Sequence, residues 1–246
     1  MSALPIAPRV AAVTGGSAGI GRAICEGLLA DGYEVVSLSL ERCTIDSPKL
    51  ASIEVDLRDR AATAQAAAEL ARRFGPTTLI HNAGVIRAAL IDAVQLSDLD
   101  ALVQLHLASA VQLVQATLPA MRAAHFGRIV LMSSRAALGA KTRTSYSATK
   151  AGLIGMARTW ALELAADGIT VNLVAPGPIR TDMFHEVIKA GSEQERALAA
   201  SIPVGRIGET ADVARAVRFL ADPLNSFVTG QVLYVCGGAS LGNIAL

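Results

Sequence analysis

The stretch "RVAAVTGGSAGIGRAICEGLLADG", Arg9 to Gly32, decides the fold. Its first residues, "RVAAVTG" (9–15), are a short apolar run with the composition of a buried strand. "TGGSAGIG" (14–21) is a glycine-rich turn. "GIGRAICEGLLADG" (19–32) carries a helical pattern and stops at Asp31-Gly32. Strand, glycine turn and helix in this order make the first half of a βαβ unit. Gly15, Gly19 and Gly21 let the backbone turn tightly and approach a pyrophosphate, whose charge then sits on the helix N-terminus. The spacing is G-x-x-x-G-x-G, not G-x-G-x-x-G, so taken alone it also fits a tight turn without a ligand.

The same alternation continues along the chain. Strands are predicted at 33–39, 50–57, 77–84, 127–134, 169–177 and 231–238. Helices are predicted at about 60–74, 97–124, 145–166 and 210–221, with Pro119 bending or dividing the long one. Apolar strands separated by helices imply a parallel sheet with right-handed crossovers. The fold class is therefore α/β: one doubly wound domain over residues 1–246, its seven-stranded, mostly parallel sheet flanked by helices. In such sheets ligands lie beyond the C-terminal ends of the strands. "VDL" (55–57), "HNAG" (81–84), "MSS" (132–134) and "APGPIRT" (175–181) all fall at such ends and define one crevice.

Composition excludes several function classes. With 246 residues, 52% of them hydrophobic, the chain can bury a substantial core. A net charge of +1 and 18 scattered arginines give no basic stripe for nucleic acid. No apolar run approaches the ~20 residues that span a bilayer. "MSALPIAPRV" lacks the charged-then-apolar order of a signal peptide. Cys25, Cys43 and Cys236 have no metal-ligand or disulfide spacing. They read as reduced thiols of a cytoplasmic protein without a metal site.

"SYSATK" (145–150) sets Tyr146 and Lys150 four positions apart in a chain with only three tyrosines and four lysines. Residues at i and i+4 share one helix face. They are either two side chains on a solvated face or a chemical pair.

Together, "TGGSAGIG", "NAG" (82–84), a serine twelve residues before "YSATK" and "PGPIRTDM" (176–183) closely resemble the short-chain dehydrogenase/reductase family. The resemblance covers about residues 9 to 240, and the tail "IPVGRIGETADVARAVRFLADPLNSFVTGQVLYVCGG" is most similar to the 3-oxoacyl thioester reductases and their relatives. It implies a Rossmann-type domain that binds NAD(P)(H) and interconverts a ketone and a secondary alcohol. Tyrosine titrates near pH ~10, and a neighbouring lysine cation favours the phenolate. Tyr146 is thus implied as acid/base, Lys150 as its electrostatic partner and a ribose ligand, and Ser134 as the hydrogen-bond donor to the substrate oxygen. The cofactor positions implied are Gly15, Ser17, Gly19, Ile20 and Gly21 in the turn, and Asp56 and Leu57 at the adenine. Asn82, Ala83, Gly84, Pro176, Gly177, Ile179 and Thr181 complete the set.

Two positions depart from the family pattern. Where the family carries an asparagine that kinks the long helix and holds a water, this chain has His106. It is either a packed histidine or one that positions the water or relays protons. At the end of the second strand, where NAD enzymes place a carboxylate, stands Ser39. Arg42 lies near enough to pair with a 2′-phosphate, although Glu41 is its neighbour. NADP(H) is therefore favoured over NAD(H).

The segment 181–203 is expected to act as a substrate lid. Met183, Phe184, Val187 and Ile188 are either its apolar wall or the buried face of a short helix. Arg87, Arg135, Lys141 and Arg143 are candidate receptors for an anionic substrate group. The helices at 97–124 and 145–166 are rich in Ala and Leu beyond one face, and the resemblance implies a homotetramer paired through them. A weakly catalytic dinucleotide-binding scaffold is the alternative function. A hydrolase built on Ser134 is set aside, because no G-x-S-x-G elbow surrounds it.

Overall fold

The structure, a computed structural model, describes residues 9–241. Segments 1–8, which contain most of the stretch read for a signal pattern, and 242–246 lie outside the described residues. The seven strands are β1 (Val10–Thr14), β2 (Glu34–Ser39), β3 (Leu50–Glu54), β4 (Thr78–His81), β5 (Gly127–Met132), β6 (Ile169–Pro176) and β7 (Val232–Val235). They form one sheet in the order β3-β2-β1-β4-β5-β6-β7, and every neighbouring pair is parallel. The order reverses between β1 and β4, which places a ligand crevice at their C-terminal ends.

Among the described residues, eight α-helices connect the strands: α1 (Gly19–Ala30), α2 (Arg60–Phe74), α3 (Leu96–Val103), α4 (Ser109–Ala123), α5 (Thr144–Leu164), α6 (Asp182–His185), α7 (Glu193–Ser201) and α8 (Thr210–Ala221). Strand alternation sorts the core into two layers. Ala11 and Val13 of β1 pack with Ile24 and Leu28 of α1 and Val213 and Val217 of α8. Ala12 points to the other face, with Leu70 of α2, Leu113 of α4 and Leu153 of α5. Each such fully buried Leu or Ile side chain contributes about 1.5–3 kcal/mol.

Local chemistry sets the helix ends. The Asp59 carboxylate accepts from the N–H groups of Ala61 and Ala62, at 2.8 and 2.9 Å, and starts α2. Gly75, at φ +51°, ends it. Arg128, buried in β5, donates through Nη1 to Gly127 O (2.8 Å) and through Nη2 to Pro223 O (2.9 Å). It ties the sheet to the loop after α8.

The long helix differs from expectation. It is interrupted not at Pro119, through which α4 runs, but at Gln104–Ala108, which forms a π-helical turn. The proline has neighbours on a continuing helix, whereas the π turn faces the crevice, where such turns concentrate. By length and composition the whole unit Leu96–Ala123 is apolar enough to cross a membrane, contrary to the reading of the sequence. Here it packs against α2 and α5.

Candidate active site

A cavity of about 580 Å³ opens at the C-terminal ends of β1, β2, β4, β5 and β6. Every position singled out for the cofactor lines it except Arg42. At the glycine turn, Gly15 adopts φ +68°, and a Cβ on Gly21 would lie 1.9 Å from the Gly15 carbonyl oxygen. No other residue fits there. Asn82 Nδ2 donates to Thr14 O at 3.0 Å and braces the turn from β4. The N-terminus of α1 has no side-chain cap and no acidic residue in its first turn. Its N–H groups thus offer a seat for an anion, and this cradle fits a dinucleotide pyrophosphate.

The adenosine end departs from the reading of the sequence in one respect. Ser39 lies where expected, its Oγ 3.0 Å from Ser37 Oγ and accepting from the Ser17 N–H at 3.3 Å. Arg42, however, is exposed and outside the cavity. The reason is its neighbour: Cys43 is buried beneath the glycine turn, its thiol donating to Gly16 O, which leaves Arg42 on the outer side. Arg58 is the cation that lines this end, and the sequence reading passed over it. It pairs with Asp56, Nη2 to Oδ2 at 2.7 Å and Nε to Oδ1 at 3.0 Å. The signal was present in "VDLRD", where the arginine follows the carboxylate by two.

Ser134, Tyr146 and Lys150 converge on the same cavity. Ser134 follows β5, and its Oγ accepts from the Ala136 N–H at 3.1 Å, leaving its O–H free to donate. Lys150 is buried, with Nζ 5.6 Å from the centre of the Tyr146 ring and donating to Met132 O at 2.7 Å. Burial pulls its pKa down to about 7. The phenol behaves differently from the expectation that lysine would lower its pKa. Burial pushes Tyr146 upward, and the Ser134 hydroxyl and the Arg143 charge only partly offset this. The ammonium is anchored on the Met132 carbonyl and sits over the ring, so burial prevails.

Two buried histidines stand behind this pair. Thr14 Oγ1 accepts from the N–H groups of Asn82 and Ala83, both at 2.9 Å, so its own proton goes to His81 Nδ1 at 3.2 Å. This assigns the Nε2–H tautomer to His81, with that nitrogen facing the Leu105 and His106 carbonyls of the π turn. His106 has the opposite assignment. Thr149 Oγ1 donates to the helix carbonyls of Ser145 and Tyr146, so His106 Nδ1–H donates to Thr149 at 2.8 Å. Its Nε2 is then a bare acceptor, without a hydrogen-bond partner, on the Gly84 and Lys150 side. A Cβ on Gly84 would lie 2.9 Å from His106 Nε2 and 3.4 Å from Lys150 Nζ. His106 does not line the cavity but touches it through these neighbours, its ring edge-on to Tyr146 with centroids 5.7 Å apart. Burial, then the Lys150 charge, holds both histidines neutral, His81 down to about 4 and His106 further.

The sheet and crevice together are those of an oxidoreductase that uses a nicotinamide dinucleotide. Comparison with known proteins makes this particular. A family model described as enoyl-(acyl carrier protein) reductase matches residues 15–240. Subunit BbsD of (2S)-((R)-hydroxy(phenyl)methyl)succinyl-CoA dehydrogenase from Thauera aromatica is 37% identical over 243 residues, 95% of this chain and 97% of that one. The 3-oxoacyl-(acyl-carrier-protein) reductase FabG of Salmonella typhimurium is 36% identical over 239 residues, 94% of this chain and 96% of that one. A solved structure assigned as an NAD(P)-dependent gluconate 5-dehydrogenase of Beutenbergia cavernae, with bound NADP, superposes with a TM-score of 0.88. It is 33% identical and covers 96% of this chain and 98% of its own. The chain belongs to the short-chain dehydrogenase/reductase family.

Proposed function

We propose that this chain is an NADP(H)-dependent reductase that interconverts a ketone and a secondary alcohol, with 3-oxoacyl thioesters among the first substrates to try. The observation that carries the reading is the convergence of Ser134, Tyr146 and Lys150 on the cavity that the glycine turn also lines. Bound NADPH would supply the hydride. Ser134 donates a hydrogen bond to the carbonyl oxygen. Tyr146 gives that oxygen its phenolic proton as negative charge develops there, and the Lys150 ammonium stabilises the phenolate left behind. In the oxidative direction the phenolate takes the alcohol proton. His106 Nε2, a bare acceptor beside Lys150, is placed to hold a water that returns the proton.

Ser39 in place of a carboxylate, Arg58 at the adenosine end and the NADP bound by the Beutenbergia relative support NADP(H) over NAD(H). The same reading places the protein in the cytoplasm as a homotetramer, with 181–203 as a lid over the substrate. It is supported by Met183, Phe184, Val187 and Ile188 in the cavity wall and by an exposed Leu162 on α5.

The test is a spectrophotometric screen of ketones, 3-oxoacyl thioesters and cyclic alcohols with both cofactors, repeated on Tyr146→Phe. The variant should bind NADPH normally and lose roughly 10²–10⁴-fold in kcat, the range of general acid catalysis. Cofactor binding without turnover on any carbonyl would select the scaffold reading.

A further inference from the structure

We infer that the substrate carries a carboxylate, held by Arg143 beside the carbonyl it presents to Tyr146. The inference rests on the oxidoreductase reading for the carbonyl but not for the anion. Four cations were candidates for such a group, and the structure separates them. Arg87 is paired with Asp98 at 3.3 Å. Arg135 lines a different cavity of about 180 Å³, and Lys141 is exposed. Arg143 alone of the four lines the main cavity, at its Tyr146 end, where its charge acts on the phenol.

The backbone before Arg143 is built to aim it. Thr142 adopts φ +65°, a conformation β-branched residues avoid. It is held there by the Ala89 N–H, which donates to Thr142 O at 3.0 Å. In this conformation Thr142 Oγ1 accepts from Arg143 Nη1 at 2.7 Å. Strained backbone of this kind gathers where a side chain must be positioned for function. The guanidinium makes no ion pair among the described residues. Of the two carboxylates that line the cavity, Asp56 is taken by Arg58, and Asp182, on the lid side, lies beyond ion-pair reach of Arg143. A half-buried guanidinium with most of its donors free matches a carboxylate, which it can hold by two parallel charge-assisted hydrogen bonds. The same cavity also carries a set of apolar side chains, Val85, Ile86, Met183, Phe184, Val187 and Ile188. The chemical class is therefore an oxo acid, or the matching hydroxy acid, with an apolar body.

The experiment compares acetoacetate and levulinate with their methyl esters as substrates for the NADPH-loaded protein. The wild type should prefer at least one acid over its ester by tenfold or more in kcat/KM. Arg143→Gln should cut that ratio at least tenfold, and Arg143→Lys should retain part of it. A ratio near one in the wild type, a ratio that survives Arg143→Gln, or a change in the KM for NADPH alone would overturn the inference. Levulinate binding, read from NADPH fluorescence, separates the two claims. Binding that depends on Arg143 without any turnover would keep the anion site and sink the oxidoreductase reading. Binding that is absent, or indifferent to Arg143, would sink the anion site whatever the turnover. Thr142→Gly covers the case in which Arg143→Gln fails to fold, because it frees the arginine without removing it and should weaken the acid preference.

Discussion

His81 and His106 are neutral imidazoles of opposite tautomer, each with its Nε2 unpartnered, the first facing the π turn and the second beside Lys150. Their burial links pH to stability. Each has a folded pKa below the ordinary value of 6.5, so the unfolded chain takes up protons first. Stability is therefore complete above pH 6.5 and is lost as pH falls toward 4. His81 alone accounts for about 3 kcal/mol of that loss. Melting curves between pH 7 and 4 should show the decline, and His106→Asn should flatten it. An asparagine also supplies an acceptor and a donor of similar reach, so the same variant should retain or raise turnover. A folded, cofactor-binding His106→Asn protein with no activity would assign the imidazole a specific chemical role. Single residues of this kind were only partly legible. The pairing of Tyr146 with Lys150 on one helix face follows from spacing and the addition of Ser134 from the family resemblance, but the anchoring of Lys150 on Met132 O depends on a strand eighteen residues away, and the phenol's raised pKa on its burial in the folded chain.

At the scale of elements, Arg180 links α7, in the segment proposed as a lid, to the body. It bonds Glu195 of α7 at 3.0 Å and Glu209, at the start of α8, at 2.5 Å. The Ile179–Gly208 bridge lies directly beside it. Arg180→Ala should raise KM for the carbonyl substrate about fivefold with less effect on kcat, a small change in keeping with solvent-screened ion pairs. Steady-state kinetics would check it, and an unchanged KM would detach α7 from substrate binding. The strands and most helices were legible because a buried parallel strand is an apolar run and some helices carry clear end signals, as α2 does in Asp59 and Gly75. The π turn was not, since "QLHLA" has ordinary helical letters. Two of its carbonyls face His81, which arrives from β4. Arg42 and Arg58 were exchanged for a similar reason. Which of two nearby cations faces a crevice depends on what Cys43 packs beneath, and no local pattern records that.

The whole molecule leaves large apolar side chains on its surface: Leu162 on α5, and Leu224 and Phe227 before β7, are nearly or fully exposed. Exposed groups of this size mark association surfaces when they cluster. If the proposed tetramer pairs through α5, Leu162→Arg should reduce it to dimers, as light scattering would show, and an unchanged mass would move the pairing away from α5. The crevice itself was legible as an assembly of strand ends, because a doubly wound sheet brings such ends together whatever lies between them. The widened turn at Gln104–Ala108 also has a consequence for chain length. A π turn amounts to one residue inserted in an α-helix. Five residues at the wider π pitch sweep roughly the angle that four sweep at the α pitch, so the extra residue is absorbed within the turn and Leu113 and Val114 keep their core face. Excising one of those five would restore the regular pitch without rotating the rest of the helix, but it would re-aim His106 and the carbonyls beside it. A relative aligned with a one-residue gap here would therefore keep the same core and organise the floor of its crevice differently.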